Sequence, residues 1–516
     1  MITQVLIIDF GSQLTKLIAR RVREVGIYCE IIPYDKINSN FLKKKKPNAL
    51  IFSGGPSSVS DKNSPKIEKF IYELGIPILG ICYGLQLISD FFMGKIDTKN
   101  IREFGKANVQ IVSTSDLFRG VYDDKKKYQV WMSHSDTLIQ IPKGFRVIAS
   151  SDSSKYAAIE NKRKKIYGLQ FHPEVIHTFK GEKIIENFLI NISGCNKDWD
   201  MKSFKDVMIK KIKLIVKNDN VICGLSGGVD STVTAILINK AIGKQLRCIY
   251  VNTGLMRKNE SQQIKDLFSK NYNINLEVIN ASKLFFNELK NISDPEKKRK
   301  IIGKLFIRLF ERSSKRNKSA KFLAQGTLYP DVIESISNFG NSKVTIKSHH
   351  NVGGLPKKMK FELLEPLRNL FKDEVRVLGK ELKIPKEFIN RHPFPGPGLG
   401  IRVLGEVNKN RVRILQEADS IFIDQLKKAK LYNKIWQAFC VLLPVKSVGV
   451  MGDNRTYEQI CVLRAVTSND GMTAESYLFK PDFISQCAKE IVNRVKGINR
   501  VCYDYTNKPP GTIEWE

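Results

Sequence analysis

Twice in this chain a short apolar run breaks into a glycine-rich turn and passes at once into an apolar helical pattern. The first junction reads Ile76-Pro77-Ile78-Leu79-Gly80-Ile81-Cys82-Tyr83-Gly84-Leu85-Gln86. The second reads Val221-Ile222-Cys223-Gly224-Leu225, then Ser226-Gly227-Gly228-Val229-Asp230-Ser231-Thr232, then a helical run over 233–242. Apolar runs without polar alternation are buried on both faces, as in parallel sheets covered by crossover helices. Runs at 5–8 and 49–52, with apolar helix positions Leu14, Leu17, Ile18, Val22 and Val25 between them, repeat the grammar early on. Runs at 248–251, 276–279, 322–324 and 344–346 repeat it later. The expectation is an α/β chain with two successive doubly wound parallel-sheet domains.

Past residue 385 the grammar changes. Pro393-Phe394-Pro395-Gly396-Pro397-Gly398 continues neither a helix nor a central strand. Beyond it lie a helix candidate over 411–428, strand-like runs at 439–445 and 459–466, a second helix candidate over 473–495 and an apolar run at 498–503. That is a smaller α+β pattern. With a polar stretch at 193–200 as linker, the division is 1–192, 193–384 and 385–516, in keeping with two to four domains for 516 residues.

Composition removes several classes. Hydrophobic residues at 42% and charged residues at 27% are globular values and argue against a disordered chain. The net charge of +33 invites a nucleic-acid partner. Its lysines are scattered along the chain rather than gathered in a patch, so anionic small substrates are expected and nucleic acid is not. The nine cysteines form no C-x-x-C pair, which speaks against a zinc ribbon or a disulfide scaffold. No apolar run reaches a membrane span, and a strand-like run begins at once, leaving no room for a signal peptide. A reduced, soluble, cytoplasmic protein without a membrane partner is expected.

Glycines on either side of Cys82 permit a tight strand-to-helix turn that lifts the side chain clear of the sheet, a nucleophile elbow with sulfur in place of oxygen. The helix N-terminus that follows favours negative charge on the sulfur. A base is needed, and Phe171-His172-Pro173-Glu174 offers one. On an extended segment His172 and Glu174 share a face, so the carboxylate can orient the imidazole. His134 is the rival base, with no carboxylate near it in sequence except Asp136. Ser53-Gly54-Gly55-Pro56 supplies backbone N–H groups that, with that of Tyr83, suit an oxyanion.

These phrases, together with Phe10-Gly11-Ser12-Gln13, closely resemble the class I glutamine amidotransferases. The resemblance implies glutamine hydrolysis through Cys82, His172 and Glu174, with Gly55, Tyr83 and Gln86 at the oxyanion and glutamine site. One position departs from it: in Ser133-His134-Ser135-Asp136 a serine stands where the family's glycine is expected.

The second junction carries different chemistry. Its glycines free N–H groups to converge on an anion, Ser226, Ser231 and Thr232 add hydroxyls, and Asp230 suits a metal bound to phosphates. A Walker-type G-x-x-x-x-G-K-S/T motif is absent. The pattern Ser226, Gly227, Gly228, Val229, Asp230, Ser231, Thr232 resembles the ATP pyrophosphatases, which cleave ATP between its α- and β-phosphates and adenylate a substrate oxygen.

Four later phrases narrow the resemblance. They are Gly326-Thr327-Leu328-Tyr329-Pro330-Asp331, Lys347-Ser348-His349-His350-Asn351-Val352-Gly353-Gly354, Arg391-His392-Pro393-Phe394-Pro395-Gly396, and Lys508-Pro509-Pro510-Gly511-Thr512-Ile513-Glu514-Trp515-Glu516. From end to end the chain resembles the glutamine-hydrolysing GMP synthase family. The resemblance implies conversion of XMP to GMP with glutamine, ATP and Mg2+, no prosthetic group, and a homodimer formed through the third domain. It also implies XMP contacts at Arg257, Gln437, Lys508 and Glu514. The pair His349-His350 is read as a nucleotide or lid contact rather than a metal site. The alternatives are an NAD-synthase-like ligase acting on another carbonyl, a basic nucleic-acid binder, and an inactive glutaminase-fold scaffold.

Overall fold

A computed structural model describes residues 3–97, 102–123, 126–316, 320–337, 361–468 and 473–516. The strand candidate at 344–346 and the His349-His350 pair lie outside the described residues. The chain forms two compact units, one carried by Met1–Ser203 and the other by most of the remainder.

The first unit is built on a nine-stranded sheet. Its strands run in the order Cys29–Pro33, Val5–Asp9, Ala49–Phe52, Ile78–Ile81, Ile166–Leu169, Ala158–Asn161, Arg146–Ser151, Glu103–Ile111, Lys127–His134. The first five are mutually parallel. The remaining pairings are antiparallel, so the sheet is mixed rather than wholly parallel. The reason is visible in burial. The parallel strands Val5–Asp9, Ala49–Phe52 and Ile78–Ile81 are covered on both faces, whereas Lys127–His134 alternates between exposed and buried. A half-solvated strand needs no crossover helix to cover it. The helix Thr15–Glu24 lays Ile18, Ala19 and Val22 onto the sheet, as its period requires.

The second unit holds a wholly parallel five-stranded sheet in the order Asn275–Asn280, Leu246–Asn252, Asn220–Leu225, Ala320–Ala324, Glu362–Leu364. In chain order this is 3-2-1-4-5, with the switch point between Asn220–Leu225 and Ala320–Ala324. Ligands of open α/β sheets sit beyond the strand ends at such a point. The loop Ser226–Gly228 leaves the sheet there.

The same unit carries a C-terminal sheet. Gln437–Met451 pairs antiparallel with Asn454–Thr467, whose other side takes the short Glu475–Ser476 antiparallel and Ile498–Tyr503 parallel. The helix Lys409–Lys428 starts where the Asn408 side chain accepts the Arg411 N–H, and its last turn carries Lys427 and Lys428. The helix expected over 473–495 begins only at Pro481. Residues before it pair as a strand, and proline is well placed at the first helical position. One hydrophobic cluster runs from Val251, Leu255 and Phe285 to Leu415, Phe422 and Ile498, so the two sheets of this unit share a core. Each fully buried Leu or Phe there contributes about 1.5–3 kcal/mol.

Candidate active sites

Cys82 ends the strand Ile78–Ile81 and caps the helix Tyr83–Phe91, with φ +54° and ψ −106°. A positive φ at a residue with a β-carbon is strained and is found where a side chain must be presented in one direction. The helix packs very close to the strand. A β-carbon on Gly84 would meet the Phe52 carbonyl oxygen at 2.5 Å, so glycine is required there. The Cys82 N–H donates to the Leu169 carbonyl at 2.7 Å, which fixes the turn from below. Tyr83 is the first helical residue, so its N–H belongs to the donors a helix cannot satisfy internally.

His172 and Cys82 converge above Gly54, where an added β-carbon would lie 3.3 Å from His172 Cε1 and 3.8 Å from Cys82 Cβ. The loop bearing His172 is pinned to a neighbouring strand. The His172 N–H donates to the Trp131 carbonyl at 2.9 Å, and Thr178 Oγ1 donates to the His172 carbonyl at 2.6 Å. His172 Nδ1 lies 2.7 Å from Glu174 Oε1, with both side chains buried. The two meet across a proline-containing turn, not along an extended strand as the spacing suggested. Burial opposes the imidazolium, but the Glu174 carboxylate and the neighbouring Cys82 sulfur outweigh it and raise the His172 pKa. Imidazole and carboxylate are thus paired beside the Cys82 sulfur, an arrangement of the kind thiol acyl chemistry uses.

His134 is also buried and has a carboxylate that was not visible in sequence. Its Nε2 lies 3.3 Å from Glu103 Oε2 on the adjacent strand. Its Nδ1 faces the Asp136 carbonyl at 3.1 Å. The Ser133 carbonyl lies 3.5 Å from Cys82 Sγ. Gln86 is buried, and its Nε2 donates to the Asp136 carbonyl at 3.0 Å, so it anchors the Ser133–Asp136 loop beside the thiol. Gly55 packs against Phe10 and Tyr83, the residue after Cys82.

In the second unit the helix Val229–Ile242 begins inside the glycine loop, earlier than the apolar run alone suggested. Ser226 Oγ and Ser231 Oγ are 3.0 Å apart, and Thr232 Oγ1 donates to the Gly228 carbonyl at 2.8 Å. Asp230 Oδ2 pairs with Lys372 Nζ at 2.5 Å. Asp230 Oδ1 is buried with no hydrogen-bond partner in the structure. A hard carboxylate oxygen left over beside a phosphate cradle suits a magnesium ion. Among the described residues no three His, Cys, Asp or Glu side chains gather to hold a metal.

Three of the four expected XMP residues meet in one place. Arg257 Nη2 donates to the carbonyls of His392 and Pro393 at 3.2 and 3.3 Å. Gln437 Nε2 donates to the same Pro393 carbonyl at 3.2 Å and to Glu514 Oε1 at 2.7 Å. Glu514 in turn takes a bidentate pair from the fully buried Arg402, at 3.0 and 2.7 Å. The Lys508 backbone pairs with Ala474 at the edge of the sheet.

Next to this cluster His392 stacks on the Tyr432 ring at 3.9 Å. Its Nε2 lies 2.8 Å from the Tyr432 carbonyl, and its Nδ1 accepts the Ala438 N–H at 3.1 Å. The ring is therefore neutral, and burial lowers its pKa to about 4. Between the unfolded value near 6.5 and that folded value, the unfolded chain binds the extra proton. Stability is thus lost as pH falls through this window, by roughly 3 kcal/mol at most. Urea midpoints at pH 7 and pH 4.5 should differ more for the native chain than for His392→Gln; equal losses would remove His392 as the cause.

Family models match three stretches: "Glutamine amidotransferase class-I" over residues 6–192, "NAD synthase" over 201–302, and "GMP synthase C terminal domain" over 424–515. A glutamine-hydrolyzing GMP synthase of Bartonella henselae is 56% identical over 512 residues, spanning 99% of this chain and 98% of that protein. One of Brachyspira hyodysenteriae is 55% identical, spanning 100% of this chain and 99% of its own. The chain belongs to the glutamine-hydrolysing GMP synthases. Among solved structures, a GMP synthase component from Thermoplasma acidophilum is 31% identical, with a TM-score of 0.33 over 40% of this chain and 98% of that one.

GMP synthases are ATP-using ligases of purine biosynthesis, and several residues at the sites of this member escaped the sequence reading. Lys372 on Asp230, Glu103 on His134 and Arg402 on Glu514 are all partners distant in the chain. So are Lys298, fully buried and 2.5 Å from Glu516 Oε2, and Arg391, which reaches the Gly227 carbonyl at 3.2 Å. Of these side chains only Arg391 belongs to a phrase that stands out in the sequence.

Proposed function

We propose that this chain makes GMP from XMP, with glutamine as nitrogen donor and ATP as activator, at two chemically separate sites. The observation that carries the glutamine half is the buried His172 held 2.7 Å from Glu174 beside the Cys82 elbow. Cys82 passes its proton to His172, and the sulfur attacks the glutamine amide carbon. The N–H groups of Gly55 and Tyr83 hold the oxyanion, and collapse expels ammonia with the proton His172 returns. Water then cleaves the thioester and releases glutamate.

At the other site the XMP carbonyl oxygen attacks the α-phosphorus of ATP, and pyrophosphate leaves in the cradle Ser226, Gly227, Gly228, Val229, Asp230, Ser231, Thr232. Ammonia then displaces AMP. Adenylation is needed because a carbonyl oxygen alone is a poor leaving group. Asp230 would hold Mg2+, which when bound neutralises phosphate charge. Lys372 stands beside the same loop and suits the β- and γ-phosphates. Arg257, Gln437, Glu514 and Lys508 are the XMP contacts: the cations suit its phosphate, while the amide and carboxylate suit the purine edge.

The division of labour follows 1–192 for glutamine, 193–384 for ATP and 385–516 for XMP and dimerisation. Val445, Val448, Val450 and Tyr457, exposed along the long hairpin of the last sheet, support a homodimer. We propose a cytoplasmic location. Among the described residues no helix is long and apolar enough to cross a membrane.

Incubation with XMP, ATP, Mg2+ and glutamine should yield GMP, AMP, pyrophosphate and glutamate in equal amounts. Absence of GMP, with the chain folded, would overturn the reading. Glu174→Gln keeps the shape but removes the charge that sustains the imidazolium. Glutaminase kcat/KM should fall roughly 10²-fold, and its alkaline limb should move to lower pH. An unmoved limb would mean that Glu174 does not act on His172.

A further inference from the structure

The segment Arg391-His392-Pro393-Phe394 touches both halves of the synthetase site. At one end, Arg391 Nη1 donates to the Gly227 carbonyl of the pyrophosphate cradle and to Glu260 Oε1, each at 3.2 Å. Its Nη2 donates to Gln263 Oε1 at 2.9 Å, and the guanidinium lies 4.0 Å over the Phe388 ring. At the other end, the carbonyls of His392 and Pro393 hold Arg257, and Phe394 lies 4.2 Å beneath that guanidinium. Glu260 closes the circuit. It is buried, and its Oε2 accepts the Arg257 N–H at 3.1 Å while Oε1 pairs with Arg391.

The cradle leans on the helix Glu260–Asp266, which carries Glu260. Gly227 has φ +81°, and a β-carbon there would come within 2.7 Å of Ile264 Cδ1 and 3.5 Å of Glu260 Oε1. The Gly227 carbonyl cannot shift without disturbing Arg391 and Glu260. The Arg257 side chain cannot turn toward a substrate phosphate without releasing the His392 and Pro393 carbonyls and its 3.6 Å ion pair with Glu260 Oε1, while its backbone N–H stays on Glu260 Oε2. The buried Glu260 and the part-buried Arg391 thus form one chain of contacts from the Gly227 carbonyl to Arg257, which gives each site a stake in the other's geometry.

We propose that Glu260 and Arg391 are positioning residues that couple occupancy of the pyrophosphate cradle to the affinity of the Arg257 site for XMP. This rests on the assignment of ATP and XMP to these two sites. Coupling between ligands is reciprocal, so one number measures it. The XMP dissociation constant is measured by calorimetry with and without an ATP analogue whose α,β-bridge cannot be cleaved, in the full chain with Mg2+. In the native chain the analogue should tighten XMP by about tenfold, a typical coupling. In Glu260→Gln, which keeps an acceptor for Arg257 but loses the charge on Arg391, that factor should fall towards one, whatever the shift in XMP affinity measured without the analogue. Arg391→Lys, which keeps the charge but loses the fork, should do the same.

A purely structural role would lower melting temperature and weaken both ligands without changing their ratio. That result, or a native-size factor in both variants, or no coupling in the native chain, overturns the proposal. If the native chain shows no XMP-dependent pyrophosphate release, the ligand assignment itself fails and the proposal falls with it. The wild-type assay therefore separates the two failures.

Discussion

Replacing Cys82 by alanine is expected to remove glutamine-dependent GMP formation almost completely, by roughly 10⁴-fold or more, as for loss of a covalent nucleophile. Ammonium-dependent formation should persist, because in the function we propose adenylation takes place at Ser226 to Thr232 and uses neither Cys82 nor His172. It is best measured at mildly alkaline pH, where more of the ammonium is free NH₃. The variant should fold. Cys82 packs as a small buried group, and alanine at its positive φ carries the same strain the cysteine already bears. His172→Ala should show the same split, although it also leaves the buried Glu174 without its partner and so costs stability. Retained glutamine-dependent synthesis in Cys82→Ala would reduce the elbow to a structural turn. Loss of ammonium-dependent synthesis in a folded variant would show that the two chemistries are not separable.

What could be seen in the sequence was local. The elbow at Cys82 and the cradle at Ser226 to Thr232 are each a strand, a turn and a helix within about ten residues, and glycine placement reveals all three. The central parallel strands were visible because burial on both faces leaves continuous apolar runs. The antiparallel half of the first sheet was not, since its half-exposed strands Glu103–Ile111 and Lys127–His134 carry charged and polar residues throughout. The late start of the helix at Pro481 reflects a similar contest. Residues 473–480 look helical by period, but strand pairing at Glu475–Ser476 claims them first.

Pairs made by topology were the least visible. Asp230 meets Lys372, Arg402 meets Glu514 and Lys298 meets Glu516 only after the sheets have formed. No spacing rule links residues so far apart. Arg402 and Lys298 are fully buried, so each needs its carboxylate from the C-terminal phrase to be tolerable inside. The phrase Lys508 to Glu516 stood out for its wording alone. In the structure two of its carboxylates neutralise buried cations, and one of these, Glu514, also bonds Gln437.

Asp230→Asn should leave the fold nearly intact and lower XMP-dependent pyrophosphate release by about 10²–10³-fold, the scale for removing one preorganised charge. Both nitrogen sources should be affected equally, since adenylation precedes use of ammonia, and this distinguishes the variant from Cys82→Ala. Asparagine is isosteric, and losing an acid from the first turn of Val229–Ile242 costs only about 0.3–1 kcal/mol. The ion pair with Lys372 raises a competing explanation, because Asp230 could matter only by holding that lysine. A double-mutant cycle decides between them. If the pair is merely structural, Lys372→Met should cost as much as Asp230→Asn, and the two together should cost no more than either. If Asp230 answers to the magnesium of the nucleotide and Lys372 to its phosphates, each loss stands alone and the double variant should be weaker than both. Raising Mg2+ should then partly restore Asp230→Asn and leave Lys372→Met unchanged. Full pyrophosphate release by Asp230→Asn would remove this aspartate from the site.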